Sequence, residues 1–157
     1  HGRIEFEQAV SLLKSRNLKV AVHLIFGLPG EGREEILQTI RYVAQFRPEG
    51  IKIHNLHIPF QAPLFEEFLL GELSLPCVER HLEYAVKALE LLPPETLIMR
   101  LTCDTPKDRL AFPRRFPDKA TFLARLSQKL AEQDTWQGRL FNPYGSPEHT
   151  VKLEPTL

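Results

Sequence analysis

Lys19-Val-Ala-Val-His-Leu-Ile-Phe-Gly-Leu-Pro-Gly-Glu31 runs an apolar strand straight into a glycine-bracketed turn. In a strand, Val20, Val22, Leu24 and Phe26 fall on one face and Lys19, Ala21, His23 and Ile25 on the other. One face is greasy and the other mixed. Gly27 and Gly30 leave room for backbone to approach a bound molecule, Pro29 stiffens the turn between them, and the N–H groups that open the next helix face the same space. Function is therefore expected at the C-terminal end of this strand.

Beyond the turn, Ile36, Leu37, Ile40, Val43 and Ala44 recur at helical spacing, and Glu34 and Glu35 suit a helix start, so a helix is predicted over Arg33 to Phe46. Pro48-Glu-Gly50 is a turn signal, and Ile51-Lys-Ile-His-Asn-Leu-His-Ile58 reads as the next strand before Pro59 halts pairing. Strand, helix and strand within about forty residues make a βαβ unit with a parallel pair. Upstream, Ile4, Ala9, Val10, Leu12 and Leu13 predict a helix from Ile4 to about Arg16. Downstream, a helix is predicted from about Pro76 to Leu92, ended by Pro93-Pro94, then a third strand over Thr96 to Thr102 and a last helix over Asp118 to Glu132. Asn142 to Leu157 is expected to be a loosely ordered tail.

This alternation is α/β, yet a closed barrel needs eight strands and about 250 residues, so the chain cannot close one by itself. Because a parallel sheet wants both faces covered, partner strands are expected before Ile4. The 157 residues, 43% hydrophobic, suffice for one core. Twenty basic and twenty acidic side chains cancel, which argues against the broad basic surface of a non-specific nucleic-acid binder. No apolar run reaches the roughly 18 residues of a membrane span, and no signal peptide is visible, so no membrane role and a cytoplasmic place are expected. Cys77 and Cys103 show no C-x-x-C or metal spacing and are expected to be free, buried thiols. His1 leads the sequence and the sole methionine is Met99, so the chain is expected to be a piece of something longer.

If Val20, Val22, Leu24 and Phe26 pack on helices, His23 must point the other way. On the next strand Ile51 and Ile53 would meet the helices and leave Lys52 and His54 beside His23, with His57 just beyond. A wall of that polarity suits a polar ligand, although a hydrogen-bonded structural histidine on each strand remains the alternative. Metal binding by His23, His54 and His57 is disfavoured, because positions 54 and 57 face opposite sides and no carboxylate stands close in sequence. Arg100 and Thr102 would share one face of the third strand, with Leu97, Met99 and Leu101 on the other. Arg100 is then a candidate anion partner and Asp104 a candidate polar contact. There is no G-x-S-x-G elbow and no P-loop. The segment Arg109 to Arg115, with Phe112, Pro113 and Phe116, could touch RNA or dock its aromatic rings on the core.

Taken together, His23-Leu-Ile-Phe-Gly-Leu-Pro-Gly-Glu31, Ile51-Lys-Ile-His-Asn-Leu-His57, Arg100-Leu-Thr102 and Gln137-Gly138 resemble, in order and separation, the C-terminal half of the YhcC-like radical SAM proteins, relatives of the elongator-type radical SAM enzymes. The resemblance covers about Gly2 to Gly138. It implies the C-terminal portion of a partial (β/α)6 barrel over residues 1–72, a C-terminal α/β extension over 73–138 and a tail over 139–157. Val20 to Gly27 would be the fifth barrel strand, and Lys52 and His54 would lie on the sixth.

The same resemblance implies S-adenosylmethionine contacts by His23, Ile25, Gly27, Leu28, Pro29, Gly30, Glu31, Lys52 and His54, with His57 and Arg100 toward the substrate. It further implies a [4Fe–4S] cluster in the complete protein, reductive cleavage of S-adenosylmethionine to a 5′-deoxyadenosyl radical, and the N-terminal half of the same protein as partner. Two departures stand out. The three cluster cysteines of such proteins have no counterpart here, so the piece alone should be inactive, and Pro59-Phe-Gln-Ala-Pro63 replaces a Gly-Ser/Thr pair. The competing expectation is a non-catalytic RNA- or protein-binding module left after loss of the cluster half.

Overall fold

The computed structural model describes residues 2–103 and 110–142. In chain order these form α1 (Arg3–Ser15), β1 (Ala21–Phe26), α2 (Arg33–Gln45), β2 (Gly50–Asn55), β3 (Ile58–Pro59), α3 (Pro63–Leu69), α4 (Val78–Leu91), β4 (Leu97–Arg100), β5 (Leu110–Phe112) and α5 (Lys119–Glu132). Strands β1, β2 and β4 make a parallel sheet in that order, and β3 pairs antiparallel with β5 in a second, small sheet. The expected tail from residue 143 onward and Asp104 lie outside the described residues.

The larger sheet packs its helices on one face only. Val22, Phe26, Ile51 and Ile53 from the strands meet Val10 of α1, Ile36 and Ile40 of α2, Leu82 and Val86 of α4, and Phe122 and Leu126 of α5 in one core. The alternation expected for β1 and β2 holds: Val22 and Phe26 are buried, Leu24 is half-buried, and Ile51 and Ile53 have no exposed surface. Truncating a ring as enclosed as Phe26 costs about 3–5 kcal/mol by transfer and cavity terms, so this face supplies the stability. The opposite face carries Ala21, His23, Ile25, Lys52, His54, Leu97 and Arg100.

Local polar groups set the strand starts and helix ends. The Glu49 carboxylate accepts the Val20 N–H at 2.7 Å and takes Lys14 Nζ at 3.2 Å, so it fastens the start of β1 to the turn before β2. The bond from Val20 does most to hold that carboxyl below its ordinary pKa. Asp118 caps α5 by accepting the Thr121 N–H at 2.8 Å. Gln137 Nε2 donates to the carbonyls of Pro93 and Thr96, both at 2.8 Å, while Gly138 N–H reaches Leu89 O at 3.0 Å. Gly138 has φ of +85° and would place a Cβ 3.0 Å from Pro94, which explains why Gln-Gly stands there.

Three sequence expectations change. The second strand stops at Asn55, and Ile58-Pro59 leaves it to join β5. On β4 the register slips between Ile51 and Lys52, so Ile98 pairs with Ile51 but Arg100 pairs with Lys52. Leu97 and Met99 therefore lie exposed on the side of Arg100 instead of opposite it, Met99 over Gly50, where a Cβ would come 2.9 Å from its sulfur, while Leu101 turns into the core at 6% exposure as expected. Finally, Cys77 is exposed at the N-cap of α4 and Cys103 is half-buried, neither in a disulfide, so neither is the buried thiol expected.

Candidate functional site

The open face of the sheet gathers basic side chains from all three strands. His23 pairs with Lys52, Lys52 pairs with Arg100, and His54 sits one step further along β2 opposite Ile25. The His23 and His54 rings lie 5.8 Å apart. No hydrogen bond or ion pair ties any of these four side chains to another described residue. Burial first, and then the positive charges of Arg100, His23 and Lys52, hold the His54 imidazole below its ordinary pKa of 6.5. Sequence reasoning foresaw that His23, Lys52 and His54 share a side; the bulge brings Arg100 into the same row.

At the end of β1 the chain turns sharply. Glu31 N–H closes on Leu28 O at 2.9 Å with Pro29 second and Gly30 third in the turn, and Gly30 has φ of +78°, the signature of a type II turn. The Glu31 carboxylate accepts the Leu28 N–H at 3.1 Å, and Glu35 accepts the Gly32 N–H at 2.8 Å, so part of the amide surface foreseen for a ligand is engaged from within. The two glycines differ. Gly27, at φ of +90°, is buried, and a Cβ there would lie 2.5 Å from Pro76 Cδ, so its bareness admits the loop before α4. Gly30 has open space where a Cβ would point, with nothing within 4 Å. Exposed Leu28 opens the same turn and exposed Ile25 lies on the strand that leads into it, with the Glu31 carboxylate folded back on the turn.

His57 belongs elsewhere. Buried Asn55 uses Oδ1 to accept the Thr102 hydroxyl at 3.0 Å and the Cys103 N–H at 3.1 Å, which fixes its amide orientation. Its Nδ2 must then donate to His57 Nε2 at 3.2 Å, leaving the imidazole proton on Nδ1, 3.0 Å from Cys103 Sγ. The thiol in turn faces the Asn55 carbonyl at 3.5 Å. With Nδ1 already protonated, His57 has no lone pair for the thiol proton, so Cys103 and His57 form a clasp between β2 and the chain after β4 instead of a nucleophile and base. Nothing in the spacing of Asn55 and Cys103 announced this clasp.

His81 is fully buried against the rings of Phe26, Phe116 and Phe122. It meets Leu101 O through Nε2 at 2.9 Å, Nδ1 has no partner, and burial pushes its pKa down to about 4. Of the arginine-rich loop, Phe112 packs beside Phe65 and Phe68 and Phe116 packs on Phe122, so these rings dock on the protein. Arg109, its first residue, lies outside the described residues. Among the described residues no three His, Cys, Asp or Glu side chains gather as metal ligands, and no helix is long and apolar enough to cross a membrane. A cleft of about 430 Å³ runs along the unpaired side of β1, lined by Arg3, Phe6, His23, Leu24 and Tyr42 among others.

A helix-backed parallel sheet whose strand ends and bare face hold the polar groups defines a part of an α/β ligand-binding fold. The radical SAM C-terminal domain model matches residues 48–132, and the chain belongs to that family. It is 29% identical over 136 residues to protein YtqA of Bacillus subtilis, covering 87% of this chain and 42% of that protein. With protein YhcC of Escherichia coli K12 it shares 30% identity over 142 residues, covering 90% and 46% respectively. The chain thus spans about half the length of these relatives. Its fold superposes on archaeal Methanocaldococcus infernus Elp3 with residues 1–46 deleted, at TM-score 0.75 and 21% identity, over 87% of this chain and 32% of that one. The fold is the C-terminal part of a radical SAM fold of YhcC-like kind, related to the elongator type.

Proposed function

We propose that this chain is the C-terminal part of a radical SAM enzyme of YhcC type, with residues 1–72 completing the barrel and 73–138 adding an extension whose strand β4 joins the same sheet. The observation that carries this reading is the corner at Leu28 to Glu31: its Gly30 backbone is open, exposed Leu28 shares the turn with the Glu31 carboxylate, and exposed Ile25 lies on the strand that leads into it. That polarity fits S-adenosylmethionine, with a flat nucleoside against the aliphatic side chains and the carboxylate near the cationic end. Leu28, Pro29, Gly30 and Glu31 would hold the nucleoside, and Ile25 would pack on it. Gly27 would act by shaping the corner, since Pro76 fills the space beside it. When bound next to a reduced [4Fe–4S] cluster, the cofactor would supply a 5′-deoxyadenosyl radical.

The cluster ligands do not fit this chain, for Cys77 caps a helix and Cys103 is held by Asn55 and His57. They would come from an N-terminal half, which the coverage of the relatives and the unpaired side of β1 support. The alternative of an RNA-contacting remnant loses its aromatic platform, because Phe112 and Phe116 are packed inward.

Anaerobic reconstitution of the full-length protein with iron and sulfide, followed by reduction with dithionite in the presence of S-adenosylmethionine, should yield 5′-deoxyadenosine. Gly30→Val should lower the yield at least about tenfold, because a β-branched side chain at positive φ both strains the turn and fills the corner. Absence of a three-cysteine segment upstream, or no 5′-deoxyadenosine from a protein with an intact cluster spectrum, would reject the reading.

A further inference from the structure

The bare face of the sheet has a polarity opposite to that of the corner. His23, Lys52 and Arg100 form one cross-strand row, one from each strand, with His54 directly above its centre. Adjacent strands lie about 4.8 Å apart, so the row is roughly 10 Å long. Like charges set opposite one another on neighbouring strands are destabilising, and here Lys52 faces Arg100, with the His23 imidazole on its other side. Every charge that perturbs His54 is positive. No carboxylate among the described residues pairs with any of the four; the six ion pairs present join other residues. A fold that tolerates this repulsion on its ligand-facing side has left an anion's place open.

We propose that the row His23, Lys52 and Arg100, with His54, is the subsite for the substrate, and that the substrate is a small molecule with at least two anionic oxygen centres, as in a diphosphate or a dicarboxylate. The inference rests on the reading above in placing S-adenosylmethionine at the Gly30 corner. The cofactor's single carboxylate cannot neutralise a row this long, so the row serves a second ligand. Arg100 offers a two-pronged donor for one oxyanion, Lys52 a point charge at the centre of the row, and the two imidazoles complete the far side.

The test uses the 157-residue chain and follows the imidazole resonances of His23 and His54 by NMR at constant ionic strength. Inorganic pyrophosphate is added in one arm and succinate in the other, and binding in either arm supports the proposal while telling which oxyanion is preferred. The expected result is a saturable shift of both histidines and a rise in the pH midpoint of His54, with no change at His81. Arg100→Ala should weaken binding at least about tenfold and Arg100→Lys less, while the circular dichroism spectrum stays that of the parent. A second titration at saturating S-adenosylmethionine separates the two readings. Additive binding supports a distinct subsite, and displacement of pyrophosphate by the cofactor would overturn it while sparing the cofactor assignment. Shifts no larger than those caused by chloride would also overturn it, whatever the cofactor does.

Discussion

His81 and His54 both resist protonation, and the physical causes part company after the first. For His81 burial among aromatic rings dominates, and the remaining pull comes from one carbonyl bond and a distant imidazole. For His54 burial is followed by the electrostatic influence of Arg100, His23 and Lys52 on the same face. One histidine is held neutral by the protein's own packing, the other partly by charges that a counter-ion could cancel. The same contrast divides the whole sheet. On the helix side and at the clasp, buried polar groups find partners within the chain, with His81 Nδ1 the exception. On the bare side, four basic groups find none among the described residues.

The largest expected effect tests the buried half of this comparison. His81 has a folded pKa of about 4 against an ordinary value of 6.5, so the unfolded chain binds the proton more readily. Stability is complete above the ordinary value, falls as pH drops through it, and levels off below the folded value. The total loss is about 3 kcal/mol, of which about 2 kcal/mol should appear between about pH 7 and pH 5, before carboxylates contribute. Urea unfolding across that range reads it directly. In His81→Phe the slope should flatten, and an unchanged slope would mean that the ring is not held neutral by burial.

Next comes the clasp. Asn55→Ala removes the acceptor for the buried Thr102 hydroxyl and for the Cys103 N–H and the donor to His57. Such losses cost about 2 kcal/mol, seen as a lower urea midpoint at pH 7. The variant should also make Cys103 react faster with an alkylating reagent, since it removes the Oδ1 that fixes the Cys103 N–H and lies 3.8 Å from Sγ, and the amide that orients His57 against the thiol. A thiol that reacts no faster would show that the clasp is not what restrains it.

The parts of this contrast that sequence could reveal are those with a period. Val20 to Phe26 and Ile51 to Ile53 alternate, α2 repeats its apolar residues every three to four positions, and these patterns sufficed to place His23, Lys52 and His54 on one side. The bulge at Ile51 and Lys52 has no such signature, so Leu97 and Met99 lie on the open face instead of the one opposite Arg100, while Arg100 and Leu101 keep their expected faces. A two-residue strand such as β3 and a short helix such as α3, none of whose residues is buried, carry too little pattern to be seen. Gly27 and Gly30 look equivalent in the sequence, yet one makes room for Pro76 and the other for solvent. The clasp joins residues 46 to 48 positions apart, which no local spacing encodes.

The smallest effect bears on the bare half and has the opposite sign. Lys52 stands between His23 and Arg100 in the cross-strand row, so Lys52→Ala removes the repulsive pairing with Arg100 and no hydrogen bond. Stability should rise by about 0.5 kcal/mol at low salt, and the gain should shrink as sodium chloride approaches about 1 M, where charges a few ångströms apart are screened. The pH midpoint of His54 should rise in the same variant, because one of the cations that depress it has gone. His81 provides the internal control, since neither salt nor the loss of Lys52 touches the packing that keeps it neutral. If Lys52→Ala instead destabilised the chain, the row would be held by partners within the protein, and the distinction between a satisfied and an unsatisfied side of the sheet would fall.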